Sequence, residues 1–215
     1  MSADAVSSAR PAGVDWRRAE FVLTGLAFLG FITVGIRMKT IYGGLPAHPL
    51  FVHLPVVLIP LSILGAIACL IKPAWFERYG ILLCLTSIVG MSSMFLAMQA
   101  GSALKHALDL QGQAAVYMSQ HETAAHILGI AFTLFTAILI LNFAAYRISG
   151  GRPTGLEIAD RLLSPAASVL ALRIALVVFA VISAFMVFRV GDLGAKAVWA
   201  GRLQHAGLHG PGFPG

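Results

Sequence analysis

Charged side chains are scarce in this sequence. Only 11% of its 215 residues are Asp, Glu, Lys or Arg, and 58% are hydrophobic, whereas a soluble globular domain carries about 25% charged residues. The charged residues present are too few to form the surface of a soluble domain of this length. The sequence therefore predicts an all-α, polytopic membrane protein that crosses the lipid bilayer.

Cysteines are also scarce, and the common catalytic fingerprints are missing. Cys69 and Cys84 lie inside apolar runs without a C-x-x-C or metal-ligand spacing, which favours a packing role. The sequence contains no P-loop, dinucleotide fingerprint or Ser-His-Asp order. The formal charge of +6 comes from single basic residues that flank apolar runs, as membrane insertion favours, so no nucleic-acid partner is indicated.

Five apolar runs organise the chain, over residues 21–36, 49–71, 80–100, 120–148 and 166–190. The first run follows Arg17 and Arg18, ends at Arg37 and has no cleavage site, which predicts an uncleaved signal-anchor helix. The predicted organisation is a cytoplasmic tail over 1–18, an N-terminal transmembrane helix over 19–40, a four-helix membrane core over 41–192 and a Gly-rich outside tail over 193–215.

Polar residues between these runs predict where the helices end. Residues 101–118 are expected to form a loop, followed by a capping box in which Ser119 is the N-cap and Glu122 reaches back to it. Ser149-Gly150-Gly151 is expected to end the fourth long helix. The segments between the spans lie alternately on the two sides of the membrane. Those on the side of the N-terminus carry more Lys and Arg than the others. This bias predicts the bacterial inner membrane, with a cytoplasmic N-terminus and a periplasmic C-terminus.

With five spans, all seven histidines fall on one side of the membrane. Imidazole near the apolar phase is a functional-site hypothesis by default. Two axial imidazoles from facing helices are the ligands of many membrane haems. The seven residues are His48, His53, His106, His121, His126, His205 and His209.

His53 and His126 are the predicted axial pair, because they lie on different helices and small residues flank His126. His48 and His121 are reserve ligands, or groups that orient the first pair. The alternative is a Zn or Cu site built from three or four of these histidines and Glu122, which shares a helix face with His126.

The stretch His48-Pro49-Leu50-Phe51-Val52-His53-Leu54-Pro55 resembles the signature of a bacterial membrane protein family called domain of unknown function 2231. Members carry an HP-x-x-VHFP opening to the first of four core helices, and Leu54 stands here in place of the usual Phe. The resemblance covers roughly residues 43–207. Relatives fused to Rieske-type iron–sulphur domains, and a core similar to that of b-type cytochromes, imply electron transfer.

These observations predict a protein that binds haem b and passes electrons at the outer face of the membrane. Its expected partners are a larger membrane complex, such as a respiratory complex, or a periplasmic redox protein. Two alternatives stay open. One is copper or zinc binding without redox turnover, and the other is a structural accessory subunit without a cofactor.

Overall fold

The computed structural model describes residues 27, 30, 41–42, 45–108, 110–154 and 156–205. Apart from a two-residue antiparallel pairing of β1 with β2, the described elements are helices. The elements are β1 (Ile41–Tyr42), β2 (Leu45–Pro46), α1 (Ala47–Phe51), α2 (His53–Ile71), α3 (Trp75–Ala107), α4 (Gly112–Ser149), α5 (Glu157–Leu163) and α6 (Ala166–His205).

Four helical stretches are long and apolar enough to cross a membrane, which confirms the predicted helical membrane protein and its four-helix core. They are Ala47–Ile71, Trp75–Ala107, Gly112–Ser149 and Ala166–Ala200. The further transmembrane helix predicted over 19–40 lies outside the described residues, except that Ala27 and Gly30 are helical.

Prolines shape the start of the first span. The chain turns at Val52, between α1 and α2, where its amide donates to the His48 carbonyl at 3.1 Å. Pro55 follows in the first turn of α2 and Pro60 lies inside the helix. Because proline has no amide hydrogen, it removes an i→i−4 bond. The helix is therefore interrupted beside His53 and continues to Ile71, where the sequence predicts its end.

The predicted loop over 101–118 and the capping box are wrong. Helix α3 continues to Ala107 and α4 already begins at Gly112, with Gln111 at the N-cap position. Ser119 therefore lies inside α4, where its carbonyl accepts a bond from the Thr123 hydroxyl at 3.0 Å. Polar residues in this stretch show where the helices leave the apolar layer, and helices that leave a membrane do not have to end there.

Helix α6 is also longer than predicted. It continues past Val190 to His205, so the first part of the predicted Gly-rich tail is helical. An i,i+4 ion pair between Lys196 and Asp192, at 2.9 Å, supports the extension. Gly191 lacks the positive φ that a glycine commonly adopts where it ends a helix, and α6 continues through it.

Helix α4 is central to the bundle, since it packs extensively on α6 and also on α3, while α2 packs mainly on α3. Close packing matters here because lipid tails are as apolar as the side chains, so helices associate through van der Waals contact and interhelical hydrogen bonds. Ser87 on α3 and Thr136 on α4 share a hydrogen bond of 2.7 Å. The largest fully buried side chains are those of Phe132, Phe135, Ile59, Leu139 and Leu176.

The two cysteines are buried and unpaired with each other, and both belong to the apolar core. This agrees with the packing role predicted for them.

Gly80 brings α3 close to α4, and its substitution should destabilise the bundle. A Cβ at this position would lie 2.3 Å from a ring carbon of Phe143, closer than atoms can approach. Overpacking of this kind costs about 1–3 kcal/mol, and we expect that loss for Gly80→Ala in a detergent unfolding titration. Gly191→Ala is the matched control, because nothing lies within 4 Å of its Cβ position. Equal stabilities of the two variants would contradict this packing.

Candidate functional site

The histidines of α1–α4 gather at one end of the bundle, called here the histidine end. It is formed by the start of the first span, the last turns of α3, the first turns of α4 and the later turns of α6. Contacts between these elements at this end run from His48 to Ala97 and from His121 to Val190. The structure thus places these histidines together, as the count of spans predicts.

His48 is half-buried between α1 and α3. Its Nδ1–H donates to the Ala97 carbonyl at 2.8 Å. The ring occupies the space beside Gly101, since a Cβ there would lie 2.8 Å from Nδ1 and 3.0 Å from Cε1. A residue other than glycine at position 101 would therefore displace the imidazole.

His121 is held in the same way between α4 and α6. Its Nδ1–H donates to the Val190 carbonyl at 2.9 Å. A Cβ on Gly194 would lie 3.1 Å from both Cε1 and Nδ1 of this ring. In each case the acceptor carbonyl belongs to residue i and the glycine to residue i+4. The missing side chain at i+4 leaves the helix carbonyl open to the ring.

These two histidines face each other, with ring centres 6.1 Å apart and ring planes at 90°. A carbonyl oxygen can only accept a hydrogen bond, so each Nδ1 carries the proton. In its neutral form, a ring that donates from Nδ1 has a lone pair on Nε2. Histidines that bind metals show this pattern, in which one ring nitrogen donates to a carbonyl and the other is the ligand.

The structure does not bring the other predicted pair, His53 and His126, into this contact. Both side chains are exposed. The Nδ1 of His53 meets the Leu50 carbonyl of its own turn at 3.3 Å, a weaker and local bond. The small residue Gly129, expected to leave room beside His126, packs instead against the Met98 sulphur, which would lie 3.5 Å from its Cβ. The proposed ligand role of this pair stays a prediction.

Glu122 forms an ion pair with Lys105 that joins α4 to α3. Glu122 therefore links two helices of the histidine end and does not cap α4 as predicted. Among the residues that the structure describes, no group of three or more His, Cys, Asp or Glu side chains could hold a metal ion.

This ion pair should contribute little to stability, because both side chains are more than a third exposed, at 40% and 38%. Pairs of this kind contribute about 0.2–1 kcal/mol. We expect Glu122→Gln and Lys105→Gln to cost that much each in the free energy of unfolding, and the double variant to cost less than their sum. Additive losses would show that the two charges do not interact.

Sequence reasoning missed the groups that hold the two rings. The carbonyls of Ala97 and Val190 are backbone groups, and Gly194 lies in a segment predicted as a tail. Gly101 lies four positions after Ala97, and small residues at this spacing allow close approach, but nothing in the sequence pairs them with His48. The sequence does contain a signal for this arrangement, because the histidines cluster at one end and two glycines occur on the spanning helices at that end.

The four spans and the imidazole pair define a helical membrane protein with a potential ligand site at one end. Residues 44–207 match the model of the family described as Predicted membrane protein (DUF2231), and the chain belongs to that family. The matched region begins before the His48 motif and covers the four spanning helices. No curated protein and no solved structure gives a significant match to the chain.

Proposed function

We propose that the protein binds one haem b at the histidine end and passes electrons there, with His48 and His121 as the two axial ligands. The observation that carries the proposal is the facing pair of imidazoles whose Nδ1 atoms both donate to helix carbonyls. Haem iron with two protein ligands exchanges single electrons, and its potential depends on ligand hydrogen bonds and burial.

The spacing of the rings fits a shared ion. An imidazole nitrogen lies about 2.0–2.1 Å from a bound metal ion such as zinc. Two rings that bind one ion through Nε2 would therefore have centres roughly 6 Å apart. The measured separation of the ring centres of His48 and His121 is 6.1 Å. Gly101 on α3 and Gly194 on α6 leave the space in which the His48 and His121 rings lie against these two helices.

The donor set favours haem over a zinc site. A structural zinc takes four protein ligands and a catalytic zinc three, whereas haem iron needs at most two, because the macrocycle supplies the rest. Two imidazoles meet here. Copper in its reduced state is the remaining alternative for a pair of nitrogen ligands. Elemental analysis of the purified protein distinguishes copper from haem iron.

The chain's own residues would set the properties of this site. The carbonyls of Ala97 and Val190 fix the tautomer and orientation of the rings and raise their basicity. Because the rings are half-buried near the end of the bundle, an electron partner has a short path to them. We therefore propose that a redox protein or a subunit of a larger membrane complex docks at the histidine end.

An optical spectrum of the purified protein tests the proposal. We expect a Soret band that sharpens and shifts when dithionite reduces the protein. Near-stoichiometric copper or zinc by elemental analysis, without a Soret band, would replace haem by a metal ion. If protein purified from haem-supplied cells shows neither a Soret band nor bound metal, the remaining interpretation is a structural accessory subunit.

The orientation of the protein gives a separate prediction. The Lys and Arg bias predicts that the histidine end lies outside, so a reporter fused after Gly215 should be active in the periplasm. Paired fusions of alkaline phosphatase and green fluorescent protein provide opposite readouts. Fluorescence with no phosphatase activity would overturn this orientation.

A further inference from the structure

A second polar site lies at the other end of the bundle, where α3 begins and α4 ends. It is a cavity of about 240 Å³. This volume is smaller than the pockets of about 300–1,000 Å³ that bind whole cofactors. The cavity is lined by Glu77, Tyr146, Arg147, Ser149, Gly150 and Arg152.

The lining is basic. It contains two guanidinium groups and one carboxylate, and Arg152 donates to Glu77 at 2.6 Å. Arg147 is only 8% exposed and lies in the last turn of a membrane span. Long basic side chains near the end of a span reach toward the membrane interface. Guanidinium groups thus outnumber carboxylates in the lining, which suits an anionic ligand.

Aromatic side chains lie at the same end of the bundle as the cavity. Trp75 and Tyr79 stand at the start of α3, with ring centres 6.2 Å apart, and both side chains are exposed. Aromatic residues of this kind mark the membrane–water interface. Lys72 lies 5.5 Å from the Trp75 ring centre and Arg78 lies 5.4 Å from that of Tyr79. Basic side chains therefore accompany the aromatic residues at this end of the bundle.

We propose that this cavity binds a phosphate group, carried by the headgroup of an anionic lipid. Guanidinium groups bind phosphate through paired, charge-assisted hydrogen bonds, and basic pockets between spanning helices bind anionic headgroups. The phosphate would lie against Arg147 and Arg152, with Glu77 opposing it on the far side of the Arg152 guanidinium. This site is independent of the proposed haem site at the opposite end.

Native mass spectrometry of the full-length protein in detergent tests the proposal, with dioleoylphosphatidylglycerol and dioleoylphosphatidylcholine as probes. We expect the wild type to retain the phosphatidylglycerol preferentially. Arg152→Gln should weaken that binding about tenfold, because it removes a hydrogen bond to a charged group. Glu77→Gln should strengthen it, because it removes the opposing carboxylate. Arg161→Gln is the control, since this exposed arginine of α5 does not line the cavity.

Two results would overturn the proposal. The first is equal retention of phosphatidylglycerol by the wild type and Arg152→Gln, which would reduce the Arg152–Glu77 pair to a structural contact. The second is displacement of the lipid from the wild type by inorganic phosphate at a similar concentration, which would assign the cavity to free phosphate. Both variants change half-exposed side chains, so we expect them to fold.

Discussion

Protein carrying His48→Ala or His121→Ala should lose its bound haem, while the two exposed histidines should tolerate the same change. Each ring of the pair supplies one of two ligands, and no third imidazole meets them in the described part of the chain. Removing even a group that supports a ligand typically costs 10–100-fold in affinity, so loss of a ligand should cost at least about tenfold. The ratio of Soret absorbance to protein concentration measures this loss.

His53→Ala and His126→Ala are the matched controls, because these histidines lie at the same end but are exposed. We expect both to retain haem near the wild-type ratio. If these two variants lose haem while His48→Ala and His121→Ala keep it, the axial pair predicted from the sequence is right and the pair favoured by the structure is wrong. All four proteins should be compared after size-exclusion chromatography, so that only folded material is counted.

Gly101→Ala should disturb the site almost as strongly as removal of a ligand. The added Cβ would lie 2.8 Å from Nδ1 of His48, a distance that forces the ring away from the Ala97 carbonyl. Because that hydrogen bond orients the ring, we expect haem affinity to fall about tenfold. Gly194→Ala should have the same effect to a smaller degree, since its Cβ would lie 3.1 Å from the His121 ring.

The control for both glycines is Gly191→Ala, one turn before Gly194 on α6, where a Cβ meets nothing within 4 Å. It should retain haem fully. Titration of haem into apoprotein, followed at the Soret maximum, gives the three affinities. Equal affinities for Gly101→Ala and Gly191→Ala would mean that the ring is not held against α3.

The sequence predicts the membrane fold well, because apolar runs of about 20 residues are characteristic of membrane-spanning helices. The sequence correctly predicts the end of α2 at Ile71, where a proline follows shortly, and the end of α4 at Ser149, where two glycines follow. The start of α6 at Ala166 was also predicted correctly. The end of α3, the start of α4 and the end of α6 were wrong for one physical reason. Polar residues after position 100 and glycine at position 191 mark where α3 and α6 leave the apolar layer, and neither type of residue stops a helix on its own.

The site was predicted in part. The histidines' common end follows from counting spans, and His48, His53, His121 and His126 were all proposed as ligands. The ranking within that set could not come from the sequence, because it depends on helix rotation and on contacts between distant residues. Ala97 lies 49 positions from His48, and Val190 lies 69 positions from His121. Only the packed bundle shows that these carbonyls hold two rings with their centres 6.1 Å apart.

Electron paramagnetic resonance of the oxidised protein tests most directly whether His48 and His121 bind one haem. The perpendicular ring planes, at 90°, predict a highly anisotropic low-spin ferric signal, whereas parallel axial rings give a rhombic one. We predict that this signal is present in the wild type and is lost in His48→Ala. A high-spin signal in the wild type, a low-spin signal that survives in His48→Ala, or no haem signal at all would contradict the proposed ligation.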